Sequence, residues 1–441
     1  MFPKIIRPFR RHLLLLLASS FVLSGCASTV EMTRDLIRDL SDIDVSGVTE
    51  MIGWQTVEMN PEQAAQLAMV PGTRPIWQNI IDESQGSAFS PVFDNGAIYG
   101  AGVNGRLMRF DAASGRGTAT VDTQRQLSGG VGTGEGMLLV ATFKGEVLAF
   151  DEKNGKSLWT AQVSSEVISP PRAEGGMVVV RAGDGRIFGL DAVTGKRKWI
   201  YQGATPSLTV RSFAGVLISR GRVFAGFAGG KLIAINLTNG SVTWEAVVSR
   251  PRGATELERV TDVTSLPVIN EHQVCAVAYQ GRVACFDIET GNQIWARDVS
   301  SNAGLAMDNH YVYVSEDRGA VVAYDKNDGG GVWRQDVLNG LKLSPPLVRD
   351  NHVVVADSQG YVNLIRKSDG LIIARSATDG SQIATRPVPL PEGGVAVQTK
   401  KGGLYAFSTE AMSVLTWHSQ PSAVTNSPQV QFLCSLIPFC K

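Results

Sequence analysis

Histidine, cysteine and any imbalance of charge are all scarce in this chain of 441 residues. It has five histidines and five cysteines, and 41 basic residues balance 41 acidic ones. A formal charge of zero supplies no basic field for nucleic acid. No cysteine stands at the spacing from histidine that a zinc site needs. His12 lies in an N-terminal leader, His272, His310 and His352 sit in or beside short polar turns (NEHQ, DNHY, DNHV), and His418 falls near the end. A lone turn histidine reads as a solvated loop residue, not as a base or ligand. No Ser-His-Asp, HExxH or phosphate-loop spacing occurs, and GAGVNG at 100–105 matches nothing beyond a β-turn. The apolar run LLLLLASSFVL at 13–23 is too short to span a bilayer.

That run has another use. Lys4, Arg7, Arg10 and Arg11 precede it, and Leu23-Ser24-Gly25-Cys26 follows, in the order of a secretory signal. The last four residues resemble the bacterial lipobox. The resemblance implies cleavage before Cys26, lipidation of Cys26, and attachment of a soluble domain to a membrane without a spanning helix. Ala27 follows; an Asp there would favour retention at the inner membrane, so Ala27 is permissive for the outer membrane. Removing residues 1–25 takes away four basic and no acidic residues, leaving 37 against 41. Of the other cysteines, Cys275 and Cys285 lie symmetrically about Gln280 in VCAVAYQGRVACF. Across a hairpin they would form either a disulfide or a pair of small buried apolar residues. Cys434 and Cys440 are close enough to pair locally.

Glycine, by contrast, is abundant: 47 residues, as suits an all-β protein with many tight turns. A glycine before a short apolar run recurs at Gly105, Gly145, Gly185, Gly230, Gly281, Gly319, Gly360 and Gly402, in steps of 40, 40, 45, 51, 38, 41 and 42. A unit of about 40 residues holding four short strands is the blade of a β-propeller. Eight units predict an all-β fold, an eight-bladed propeller of four-stranded antiparallel blades. In VLAFDEKNGKSLW (147–159) the apolar run has no alternation, because neighbouring blades cover both its faces. Asp151 caps backbone amides of the turn, Gly155 supplies a positive φ, and Trp159 fills the gap between blades. Trp199, Trp244, Trp295 and Trp333 occupy the same repeat position. Trp77 precedes the first glycine, so an N-terminal strand near 74–82 is expected to complete the blade formed by about 384–408 and close the ring. The expected organisation is a signal peptide at 1–25, a lipidated tether at 26–73, the propeller at 74–408 and a tail at 409–441. TVEMTRDLIRDLSDI (29–43) has the spacing of a short amphipathic helix, although a tether of modest order is the preferred reading.

AFDEKNGKSLW (149–159) resembles the repeat of quinoprotein, PQQ-dependent dehydrogenases. The likeness runs through 74–408 and implies the fold. The enzyme would also need a metal and a general-base carboxylate at the ring axis. Yet Asp111, Asp151, Asp191, Asp287 and Asp325 all fall at the turn position of the repeat. The expectation is therefore a platform without catalytic residues, metal or cofactor.

Function is then expected where the repeat is lengthened. The inner hairpin keeps its length: Gly129–Gly145, Ser169–Gly185, Ser265–Gly281 and Ser344–Gly360 are each 16 apart. From the Trp strand to the next inner strand, the step is 10 (Trp159–Ser169) or 11 (Trp333–Ser344), but 15 for Trp199–Ala214 and 21 for Trp244–Ser265. Strands that alternate up and down put every such connection on one face, so the two long ones should be neighbours. They read QGATPSLTVRSF (202–213) and SRPRGATELERVTDVTS (249–265). Apolar residues beside arginine and carboxylates suit a protein partner better than a small-molecule pocket. PSLTVRS and ATELERVTDVTSLPV resemble two loops of the BamB family, lipoproteins of the outer-membrane β-barrel assembly machinery. The resemblance implies that Leu208, Val210, Arg211 and Asp262, with Arg259 nearby, dock a POTRA domain of a BamA-like protein at the inner leaflet of the outer membrane. Val210 stands where that family has Leu. Thr264 replaces the second Asp of an Asp-x-Asp pair, which removes one carboxylate contact. Two other readings remain: a PQQ-dependent dehydrogenase, and a propeller whose loops bind a different envelope protein.

Overall fold

The computed structural model describes residues 59–84, 89–203, 206, 208–210 and 214–410. Cys26, the 29–43 segment, Cys434 and Cys440 lie outside them. The described chain forms eight four-stranded antiparallel sheets. Blade 1 starts with the strand Val92–Asp94 and blade 7 ends with Ile372–Ala377. Blade 8 takes its three inner strands from Val388–Pro389, Gly394–Gln398 and Gly403–Ser408 and its outermost from Trp77–Ile80, with Trp77 paired to Ala406 and Ile80 to Gly403. The ring is thus closed by the N-terminal strand.

Burial follows the sequence pattern. The two middle strands of each blade are buried on both faces, as in Met137–Thr142 and Glu146–Asp151, whereas outer strands such as Ser157–Gln162 are mostly exposed. Apolar side chains gather into eight clusters, one at each boundary between blades. Six of the eight contain a tryptophan of the repeat position. Each indole Nε1 donates to a carbonyl in the turn of the next blade, at 2.7–3.1 Å: Trp77 to Ala112, Trp159 to Ala192, Trp199 to Leu237, Trp244 to Ile288, Trp295 to Lys326 and Trp333 to Lys367. The indole ring lies under the glycine of that same turn. A Cβ on Gly115, Gly195, Gly240, Gly291, Gly329 or Gly370 would come within 2.5–2.8 Å of it. These glycines have φ between +68 and +75°, so one residue supplies both the turn and the room for the ring.

Blades 1 and 7 carry Ala119 and Ala374 where the others carry tryptophan. Their boundaries are tied differently. Between blades 1 and 2, Ser90 and Gly130–Val131 exchange backbone hydrogen bonds, and Glu152 accepts from Tyr99 and Asn95. Between blades 7 and 8 runs a strap. Residues 59–73, read from the sequence as tether, are seated on the ring. Helix α1 (Pro61–Met69) is capped by Asn60 and Gln63, and buries Leu67 against blades 6 and 7. The chain then runs along blade 7, where Arg375 N donates to Pro71 O and Thr73 N to Ser376 Oγ, before entering blade 8. Cys275 and Cys285, opposite each other in the middle hairpin of blade 5 and fully buried, are joined by a disulfide.

The turn aspartates do local work. Asp111, Asp191 and Asp287 accept from the hydroxyl and amide of Ser114, Thr194 and Thr290, which holds their carboxyls below the usual range. Their contribution to stability is complete above the unfolded pKa, near 4. It is lost as pH falls through the lower folded values. Acid melts should therefore decline only below about pH 4, and Thr290→Ala, which lets the folded value of Asp287 rise toward the unfolded one, should reduce the stability lost over that range while leaving its onset in place. For the boundaries, Trp244→Ala should destabilise the ring by about 3–5 kcal/mol. Gly96→Ala isolates the cost of φ, because nothing lies within 4 Å of its added Cβ; Gly240→Ala adds a collision with Trp199 at 2.8 Å. Thermal melts should rank Gly240→Ala well below Gly96→Ala, and equal midpoints would refute the double role of the glycine.

Candidate docking face

The two lengthened connections meet. The first, 202–213, joins blade 3 to blade 4; the second, 248–267, joins blade 4 to blade 5. They are held together by Asp262. Its carboxylate accepts from Val210 N at 2.7 Å and from Gly229 N at 3.0 Å, so it links the first connection to the central turn of blade 4. Its backbone bridges Tyr279 of blade 5, with Tyr279 N donating to Asp262 O at 2.8 Å. Val263 N donates to Phe227 O at 3.1 Å.

Behind Asp262 stands Arg181, at the end of the apolar strand Met177–Arg181. Its Nη1 donates to Gly226 O at 2.6 Å and its guanidinium lies over the Phe227 ring, 5.2 Å from the centroid. Burial lowers its pKa to about 10, and the charge of Asp262 opposes that shift. The guanidinium stays charged at neutral pH.

These positions divide the expected contact residues. Leu208 is 43% exposed and available to a partner, and Arg259 is exposed as well. Val210 is half-buried. Asp262 and Thr264 are not presented outward: they are 3% and 6% exposed. Asp262 is taken up by the loop amides, and Thr264 Oγ1 donates to Asn302 O at 3.3 Å. Asp262 and Thr264, which the family resemblance implied as contact positions, are thus turned largely inward, and Asp262 ties the two connections together. Arg211 lies outside the described residues. The tryptophans Trp159, Trp199, Trp244, Trp295 and Trp333 belong to the blade boundaries, away from this face.

Sequence reasoning missed Leu257, which is 43% exposed on the second connection. A tight turn presents it. Glu258 accepts from the amides of Ala254 and Thr255 at 2.8 and 3.1 Å, and its own amide donates to Thr255 Oγ1 at 3.2 Å. Those amides hold the Glu258 carboxyl below its usual range. The available signal was Leu257 itself, a lone apolar residue flanked by Glu256 and Glu258. It also missed Arg181, which reads as an ordinary strand end.

Among the described residues, no group of three or more His, Cys, Asp or Glu side chains is placed to hold a metal ion. Nor is any helix among them long and apolar enough to cross a membrane.

Comparison with known proteins agrees with this architecture. The family described as "Outer membrane protein assembly factor BamB" matches residues 103–330 and 300–431. The chain is 51% identical over 398 residues to the outer membrane protein assembly factor BamB of Nitrosomonas eutropha, covering 90% of this chain and 94% of the relative. It is 44% identical over 315 residues to that of Pseudomonas aeruginosa, covering 71% and 83%. Among solved structures, BamB from Moraxella catarrhalis superposes with a TM-score of 0.70 at 24% identity, over 76% of this chain and 99% of that one. The quinohemoprotein alcohol dehydrogenase of Comamonas testosteroni gives 0.62 at 13% identity, over 79% and 78%, a likeness of fold alone. With its eight closed blades and a match at this identity along nine-tenths of its length, the chain belongs to the family of the outer membrane protein assembly factor BamB.

Proposed function

We propose that this protein is a non-enzymatic scaffold of the outer-membrane β-barrel assembly machinery. In this reading it is held at the periplasmic face by a lipid on Cys26. It docks a POTRA domain of a BamA-like protein through the two adjacent connections. The observation that carries the reading is the junction of the two loops by Asp262. A joined pair of loops offering Leu208, Leu257 and Arg259, with Arg211 next to Val210 in the sequence, has the make-up of a protein interface: apolar anchors within a polar rim. Asp262 acts through the loops, by fixing the backbone at Val210. Preorganisation of this kind lowers the entropy lost on binding.

The dehydrogenase reading has the fold in its favour. Among the described residues that line the axial cavity, however, there is no Asp or Glu that could serve as general base.

The docking reading makes a quantitative forecast. In calorimetric titrations with an isolated POTRA domain, Leu208→Ala, Leu257→Ala and Arg211→Ala should each weaken binding by about 1–3 kcal/mol, as hot spots do. Their melting temperatures should not change. Asp262→Ala should weaken binding too while leaving the disc folded, because its effect is on loop geometry. Undiminished affinity across the set would remove the docking assignment.

A further inference from the structure

The face that carries the two loops also opens onto the ring axis. There the first residues of the inner strands converge on a cavity of about 380 Å³, within the range of small-ligand sites. Its charge is one-sided. Arg172, from the inner strand of blade 3, and Arg386, just before the inner strand of blade 8, both line it, and Lys342 stands at its wall; no acidic residue does. Arg386 is fixed by donation from Nη2 to Leu305 O at 2.6 Å. The Arg172 guanidinium has no hydrogen-bond or ion-pair partner among the described residues. The undescribed positions between residues 59 and 410 (85–88, 204–205, 207 and 211–213) include no Asp or Glu.

Both arginines keep some accessible surface, as residues lining an open cavity must, yet protein encloses them closely. Burial depresses the pKa of each, that of Arg386 to about 10 with a further push from the charge of Arg172. A guanidinium is not deprotonated in proteins, so both remain cations at neutral pH, repelling each other where water screens poorly. An enclosed charge without a counter-charge is costly. The rest of the wall is largely apolar, with Val216, Leu266, Leu343 and Pro345.

We infer that the axial cavity binds a small organic anion bearing two or more carboxylates. The anion is held by Arg172 and Arg386 and lays its carbon skeleton against the apolar wall. The guanidinium fork suits carboxylate. The apolar wall sets an organic anion apart from a hydrated inorganic one. This inference stands whether or not the loops dock a POTRA domain.

The test is calorimetric titration of the full chain with citrate and with inorganic phosphate at matched ionic strength, alongside thermal melts. Citrate should bind one to one and raise the melting temperature, as any ligand of the native state does. Phosphate should bind at least about tenfold more weakly. Arg172→Gln and Arg386→Gln should each cut citrate affinity by about tenfold or more. Thr264→Asp, which puts a carboxylate into the same wall, should do so by pairing the arginines internally, and should raise the melting temperature without citrate. Absence of heat and of any melting shift with millimolar citrate would overturn the inference. So would citrate affinity indifferent to all three substitutions. Phosphate binding as tightly as citrate would overturn the organic character of the ligand.

Discussion

The structure depends on one repeated contact, the indole of one blade lodged beneath the turn of the next. It joins three demands in a single place: a hydrogen bond for Nε1, apolar cover for the ring, and a residue without Cβ above it. Burying an aromatic ring at a boundary is favourable only if its polar edge finds a partner. The turn carbonyl supplies that partner, for instance Leu237 O for Trp199 at 2.8 Å. The glycine cannot be exchanged for another small residue, because its φ and its missing side chain are used at once. Rigidity of the ring is therefore built from contacts local to each boundary, and adjoining blades differ little in how they are held.

Where this contact is missing, the fold has substitutes of a different kind. At the boundary of blades 1 and 2 the ties are polar, through Glu152 and the Ser90 backbone. At that of blades 7 and 8 the tie is the strap, whose Pro71–Thr73 bonds to Arg375 and Ser376 of blade 7 before the chain enters blade 8, while its Leu67 packs at the boundary of blades 6 and 7. Together with the disulfide in blade 5 these show a ring that is uniform in plan and specialised at particular seams.

The plan was legible because it is repeated. Glycines at steps near 40 and tryptophans eight residues after the turn aspartate reveal eight blades, and Trp77 standing ahead of the first glycine reveals the closure. The helix Pro61–Met69 was not read, although Asn60-Pro61-Glu62-Gln63 is a capping sequence, because nine residues with one buried leucine give little periodicity. The two long connections were legible as departures in length, and so was their adjacency, which follows from strand alternation. The orientation of Asp262 was not: a carboxylate in a loop reads alike whether it faces solvent or two backbone amides. Arg172 and Arg386 escaped notice for a related reason. They stand 214 residues apart in the sequence, and only the closed ring brings them to one axis.

Closure by Trp77–Ile80 has a consequence for how the molecule is made. Its partner strand, Gly403–Ser408, lies over 320 residues downstream. Contacts of such separation are slow to form, since loop entropy is lost before they repay it. A chain that crosses a membrane amino end first delivers one half of the latch at the outset and the other at the finish. Until then the early strand has no sheet to join, and the half-built circle keeps an unguarded margin at each end. The seam thus makes arrival of the last strand, rather than the addition of any single blade, the moment at which the particle becomes whole.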